Sequence, residues 1–234
     1  MNSTHLSKRL QTVSDHVEPG SRLADIGSDH AYLPIYLAKN HIIDYGVVGE
    51  VAKGPLSNAI SEITKENLLG VLHPRLADGL AAIEPDDQVD AITIAGMGGN
   101  LITHILEAGR NKLSGNEKLI LQPNVGEPVV RKWLMKNGYQ IFAEQILKED
   151  GHIYEIITAK KAASAVTYSP LELEFGPFLI QQRSSVFIEK WQSEIGLRKR
   201  VISDMQRATH KDDVKIAAIQ AEIKTIEEVI TGES

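Results

Sequence analysis

Apolar residues recur along the chain in two alternating rhythms. Short runs of nearly continuous apolar residues give way to stretches where they fall three or four apart, the alternation of strand and helix. Leu6, Leu10, Val13 and Val17 mark an opening helix that Pro19-Gly20 ends. Arg22 to Ile26 is a strand, Leu33 to Ala38 a helix, Tyr45 to Gly49 a second strand and Pro55 to Asn67 a second helix. Val71 to Ala77 predicts a third strand, which Pro74 weakens. Ala91 to Ala95 predicts a fourth, before a helix from Leu101 to Gly109; Lys118 to Leu121 predicts a fifth, before a helix through Trp133. Tyr139 to Lys148 and His152 to Lys160 predict two strands joined by a tight Glu-Asp-Gly turn. Five alternating strands finished by an antiparallel pair predict an α/β fold, a doubly wound, mostly parallel sheet with a reversed edge.

The rhythm changes at Ala162 to Pro170, a small-residue and proline stretch, which predicts domains at 1–162 and 163–234. In the second, Ile188, Trp191, Ile195, Ile202 and Met205 form one helical stripe, and Ile216, Ile219, Ile223, Ile226 and Ile230 another. The polar turn Thr209 to Asp213 between them predicts an antiparallel helical hairpin of coiled-coil character, its seam opened at Arg198.

Composition adds exclusions. The 234 residues are 42% hydrophobic and 24% charged, an ordinary globular balance. No apolar run reaches membrane-spanning length and Met1 to Leu10 has no signal-peptide core, so a cytoplasmic protein without membrane contact is expected. The chain has no cysteine and its histidines are scattered, so no metal site is expected. A net charge of −6 counts against wholesale electrostatic binding of nucleic acid, although a local basic patch survives such an average.

The candidate chemistry gathers where strands end. Asp25-Ile-Gly27-Ser28-Asp29-His30 closes the first strand, and Glu50 closes the second, as in nucleotide-binding α/β domains, where the first turn meets the ligand and the second acid grips a ribose. A pyrophosphate turn wants further glycines, yet one such place holds Asp29, whose charge repels phosphate. A cationic or zwitterionic ligand suits this turn, and S-adenosylmethionine carries a sulfonium and an ammonium but no phosphate. Asp78-Gly79 follows the third strand, where an acid can accept from an adenine amino group, although Asp-Gly is also a common turn. Ala95-Gly96-Met97-Gly98-Gly99 follows the fourth, bringing bare backbone to the cleft, with Met97 a soft surface for a flat ring. Gln122 and Asn124 end the fifth; their amides can read a base edge or simply cap a loop.

Taken together, Leu-Ala-Asp-Ile-Gly-Ser-Asp-His-Ala-Tyr-Leu-Pro, Ala-Lys-Gly-Pro-Leu, Ala-Asp-Gly-Leu, Ala-Gly-Met-Gly-Gly and Leu-Gln-Pro-Asn, spread over residues 23–124, resemble the bacterial tRNA (adenine-N1)-methyltransferases that act on adenosine 22 of the D-arm. The resemblance implies a Rossmann-like class I methyltransferase domain of seven strands with a C-terminal coiled coil, S-adenosylmethionine as donor and tRNA as substrate. Asp25, Gly27, Ser28, Asp29, His30, Tyr32, Glu50, Asp78, Gly79, Ala95, Gly96 and Met97 are then expected at the donor, with Asp29 and His30 as catalytic candidates. Met97, Gly98, Gln122 and Asn124 are expected at the target base. Arg198, Lys199 and Arg200, with Arg207, Lys211 and Lys215, are expected to meet tRNA phosphates, and the protein to be a monomer. The usual multi-glycine loop keeps only Gly27, and Ala95 to Gly99 replaces the Asn-Pro-Pro-Tyr type of motif, so catalytic roles from other N-methyltransferases do not transfer. The rival readings are a methyltransferase for a small molecule or protein, and a nucleotide-binding scaffold without turnover.

Overall fold

A computed structural model of the chain describes residues 5–207 and 212–232. Among them, β1 (Ser21–Ile26), β2 (Ile43–Glu50), β3 (Leu72–Leu76), β4 (Ala91–Gly98), β5 (Lys118–Val125), β6 (Tyr139–Glu149) and β7 (His152–Lys161) form one sheet in the order β3-β2-β1-β4-β5-β7-β6. The first five are parallel, and β7 runs antiparallel between β5 and β6, as expected. The continuous apolar runs belong to strands covered on both faces: Leu23, Ala24, Val47, Val48, Ile92 and Ile94 are all buried. Pro74 is tolerated because β3 is an edge strand, where a missing N–H breaks no ladder.

The helices of this part are α1 (Lys8–Ser14), α2 (Tyr32–Lys39), α3 (Lys53–Lys65), α4 (Gly99–Ala108), α5 (Glu127–Lys136) and α6 (Pro170–Phe175). Helix α1 is shorter than its apolar spacing suggests, running from a Ser7 cap to Ser14. Asp150 (φ +49°) and Gly151 (φ +80°) close the β6–β7 hairpin with the two positive φ angles of a tight primed turn. Buried Arg131 on α5 donates to Glu144 at 2.7 Å and to Glu155, and also to the carbonyls of Leu173 and Glu174. This clasp holds α6, and the chain divides into compact units after Pro177, beyond the compositional break at 162–163.

The second unit, Phe178–Ser234, holds α7 (Leu179–Gln182), α8 (Ser185–Arg207) and α9 (Asp213–Thr231). Arg183 lies against Gly232 while Arg198 meets Glu222, so α8 and α9 run in opposite directions. Trp191, Ile195, Ile216, Ile223 and Ile226 are buried as their spacing predicts. Arg198 does not open the seam. Its guanidinium bonds Glu194 at 2.5 Å and Glu222 at 3.0 Å, tying the helices together. Among the described residues no helix is long and apolar enough to cross a membrane.

Candidate functional site

The carboxyl ends of β1, β2, β4 and β5 converge on one cleft, the place where open α/β sheets bind ligands. Asp25 is the floor. It is buried between a hydroxyl donor on Ser28 and Thr93 Oγ1 at 2.6 Å, and burial pushes its carboxyl up from 3.8 to about 6. Gly27 then turns the chain with φ +72°. His30 (φ +59°) and Ala31 (φ +55°) continue the turn in the left-handed region, where non-glycine residues are strained by ~1–2 kcal/mol each. Such strain concentrates at functional sites.

Glu50 reaches across from β2. Its Oε1 accepts the Asp29 N–H at 2.7 Å, and burial raises its carboxyl above the ordinary range. This bond tests the ligand class. In a dinucleotide site the N–H groups of the first turn face phosphate. Here that donor already faces a carboxylate, and the Asp29 side chain stands beside it, 76% exposed. The donor set fits a cationic ligand with hydroxyls and opposes an anionic one. His30 Nε2 lies 3.6 Å from Asp29 Oδ1, and its ring stacks on Tyr32 at 5.3 Å.

A cavity of about 130 Å³ opens at this turn. Asp25, Gly27, Ser28, Asp29, His30, Tyr32 and Ala95 line it, and so do Arg9, Leu10 and Leu33, none of which was expected at the site. A larger cavity, about 520 Å³, lies among Arg110, Lys136 and Lys161 at the opposite end of β5, away from every candidate residue at the strand ends. Asp78 is exposed just before Gly79, whose φ of +52° places it over Ile105.

The glycine stretch is not a loop. Strand β4 continues through it to Gly98, with its register broken on either side of Met97. Gly96, at φ +79°, makes the bulge and sends Met97 back over Gly27.

The expectation for Gln122 is corrected. Its side chain is buried, and Oε1 accepts from Gly96 N–H at 2.9 Å and Arg9 Nη1 at 2.5 Å. Its Nε2 donates to Pro123 O and Asn124 Oδ1. Every position that could read a base edge is taken, so Gln122 shapes the rim instead. Asn124 is exposed and donates to Gly96 O at 2.8 Å, which leaves one amide N–H.

On the second unit, Arg198 is committed to Glu194 and Glu222, and Lys199 lies 3.5 Å from Glu227. Arg200, Arg207 and Lys215 are exposed. Lys211 lies outside the described residues.

The model of the family described as tRNA (adenine(22)-N(1))-methyltransferase matches residues 23–228. The chain is 41% identical over 236 residues to the tRNA (adenine(22)-N(1))-methyltransferase of Bacillus subtilis, covering 98% of this chain and 99% of that protein. It superposes with a TM-score of 0.88, at 42% identity, on a putative tRNA (m1A22) methyltransferase of Streptococcus pneumoniae in complex with S-adenosyl-L-methionine, covering 97% of this chain and all of that one. TrmK of M. capricolum in complex with S-adenosyl-homocysteine matches with a TM-score of 0.85 at 29% identity, covering 97% of this chain and 98% of that one.

Proposed function

Because the chain belongs to the tRNA (adenine(22)-N(1))-methyltransferase family, we propose that it transfers a methyl group from S-adenosylmethionine to N1 of adenosine 22 in tRNA. The observation that carries this reading is the Glu50 carboxylate on the Asp29 N–H, which turns a phosphate-binding corner into one for a cationic donor.

When bound, S-adenosylmethionine supplies a methyl carbon on a sulfonium, which a lone-pair nucleophile accepts as the carbon–sulfur bond breaks. Adenine N1 already carries an in-plane lone pair, so the chain need not create a nucleophile. Its residues must orient and enclose. Glu50 holds the donor ribose, Asp78 the adenine amino group, and the turn from Gly27 to Tyr32 the amino-acid end. Positioning of this kind supplies up to ~7–11 kcal/mol. As N1 gains positive charge, the exposed carboxylate of Asp29, with His30 beside it, stabilises that charge. Met97, Gly98 and Asn124 line the path of the target base, which must leave its stack at a cost of a few kcal/mol. Arg200, Arg207 and Lys215 meet tRNA phosphates.

The test is incubation with unmodified tRNA and methyl-labelled donor, followed by nucleoside mapping. Label at N1 of adenosine 22 is expected. Label elsewhere, or none, rejects the assignment.

A further inference from the structure

We infer that Arg9 is the residue that binds the α-carboxylate of the donor's amino-acid end. The inference rests on the donor reading of the cleft and adds what that reading lacks. Two acids, Asp25 and Asp29, line the cavity and suit the cationic groups of the donor. The amino-acid end also carries a carboxylate, and a carboxylate set beside two acids needs a cation. Of the residues lining the cavity, Arg9 alone bears a permanent positive charge.

The guanidinium is placed for this. It is half-buried, lies 5.5 Å over the Tyr154 ring, and donates Nη1–H to Gln122 Oε1 at 2.5 Å. A guanidinium has five N–H donors in a planar fork, and one bond to Gln122 leaves an edge for a bidentate carboxylate. The backbone behind it is fixed as well. Both oxygens of Glu149, at the tip of the β6–β7 hairpin, take the N–H groups of Lys8 and Arg9, at 2.5 and 3.0 Å. The short helix α1 is thus pinned with Arg9 turned to the cleft, and Gln122 couples the guanidinium to the Gly96 N–H in the glycine bulge.

Calorimetry on the full chain tests this with two ligands, S-adenosylhomocysteine and 5′-methylthioadenosine, which lacks the amino-acid end. Arg9→Ala should weaken S-adenosylhomocysteine roughly tenfold to a hundredfold, the worth of a charged hydrogen-bonded contact. It should leave methylthioadenosine unchanged, and that unchanged binding also certifies a folded cleft. Arg9→Lys should recover part of the loss. Equal weakening of both ligands makes Arg9 a packing residue and overturns the inference. Unchanged S-adenosylhomocysteine affinity with weakened tRNA binding reassigns Arg9 to the RNA and overturns it too. If the unaltered protein binds neither ligand, the donor reading itself falls, and the inference with it.

Discussion

Gly27 and Met97 compete for one space at the end of β1. A Cβ added to Gly27 would lie 1.9 Å from Met97 Cε. The backbone there is left-handed, so Gly27→Ala adds a strain of ~1–2 kcal/mol to the displacement of Met97. S-adenosylhomocysteine affinity should fall, and adding Met97→Ala should return only the packing part. Unchanged affinity in the single variant would show that the turn does not shape the donor site.

Asp29 is the sharpest point of the proposed chemistry. Its carboxylate is exposed, so Asp29→Ala should leave the melting temperature nearly unaltered. Single-turnover methylation of tRNA should drop by roughly a hundredfold or more, the scale of losing one electrostatic contact in a transition state. Near-normal turnover would remove Asp29 from the mechanism.

Asp25 makes stability depend on pH. Burial raises its folded-state carboxyl from 3.8 to about 6, so the folded chain holds a proton that the unfolded chain has lost. The stability this contributes is present below 3.8 and disappears as pH rises through about 6, amounting to about 3 kcal/mol. Asp25→Asn removes the slope. The melting temperature of the variant, relative to the parent, should climb between about pH 4 and pH 7. A flat difference would contradict the assignment.

Arg131 faces two buried carboxylates, and its removal takes a buried cation from both. Arg131→Met should cost ~3–5 kcal/mol in urea unfolding. Adding Glu144→Gln and Glu155→Gln should recover a large share. A loss below ~1 kcal/mol in the single variant would mean that the clasp is dispensable.

On the C-terminal hairpin, Arg200 and Arg207 are exposed, whereas Arg198 is spent on Glu194 and Glu222. Arg200→Glu with Arg207→Glu should weaken tRNA binding and flatten its salt dependence while S-adenosylhomocysteine binding stays unchanged. Arg198→Ala should instead lower hairpin stability. Unaltered tRNA affinity in the double variant would exclude this surface.

Some of this was readable in the chain and some was not, for physical reasons. Strands buried on both faces write themselves as apolar runs, so β1, β2, β4 and the reversed hairpin could be placed from local pattern alone. Asp25, Gly27 and Glu50 were visible because turn chemistry and strand ends are local too. Gln122 was not. Its polar groups are consumed by Arg9 and Gly96, residues remote in sequence, and no local pattern reports where an amide's bonds go. Arg9 was hidden for the same reason, since Gln122 and Tyr154, which it meets, are remote in sequence. The expected end of β4 at Ala95 falls short of Gly98 because a bulged strand and a loop share the same composition.

The grip of Glu149 on Lys8 and Arg9 has a consequence for synthesis. The amino-terminal helix leaves the ribosome early, but its anchor emerges only after the five parallel strands have been made. Until then the nascent chain lacks one wall of its ligand-binding hollow. The cleft is therefore a late product of translation, closed by a contact that spans most of the sheet-forming sequence.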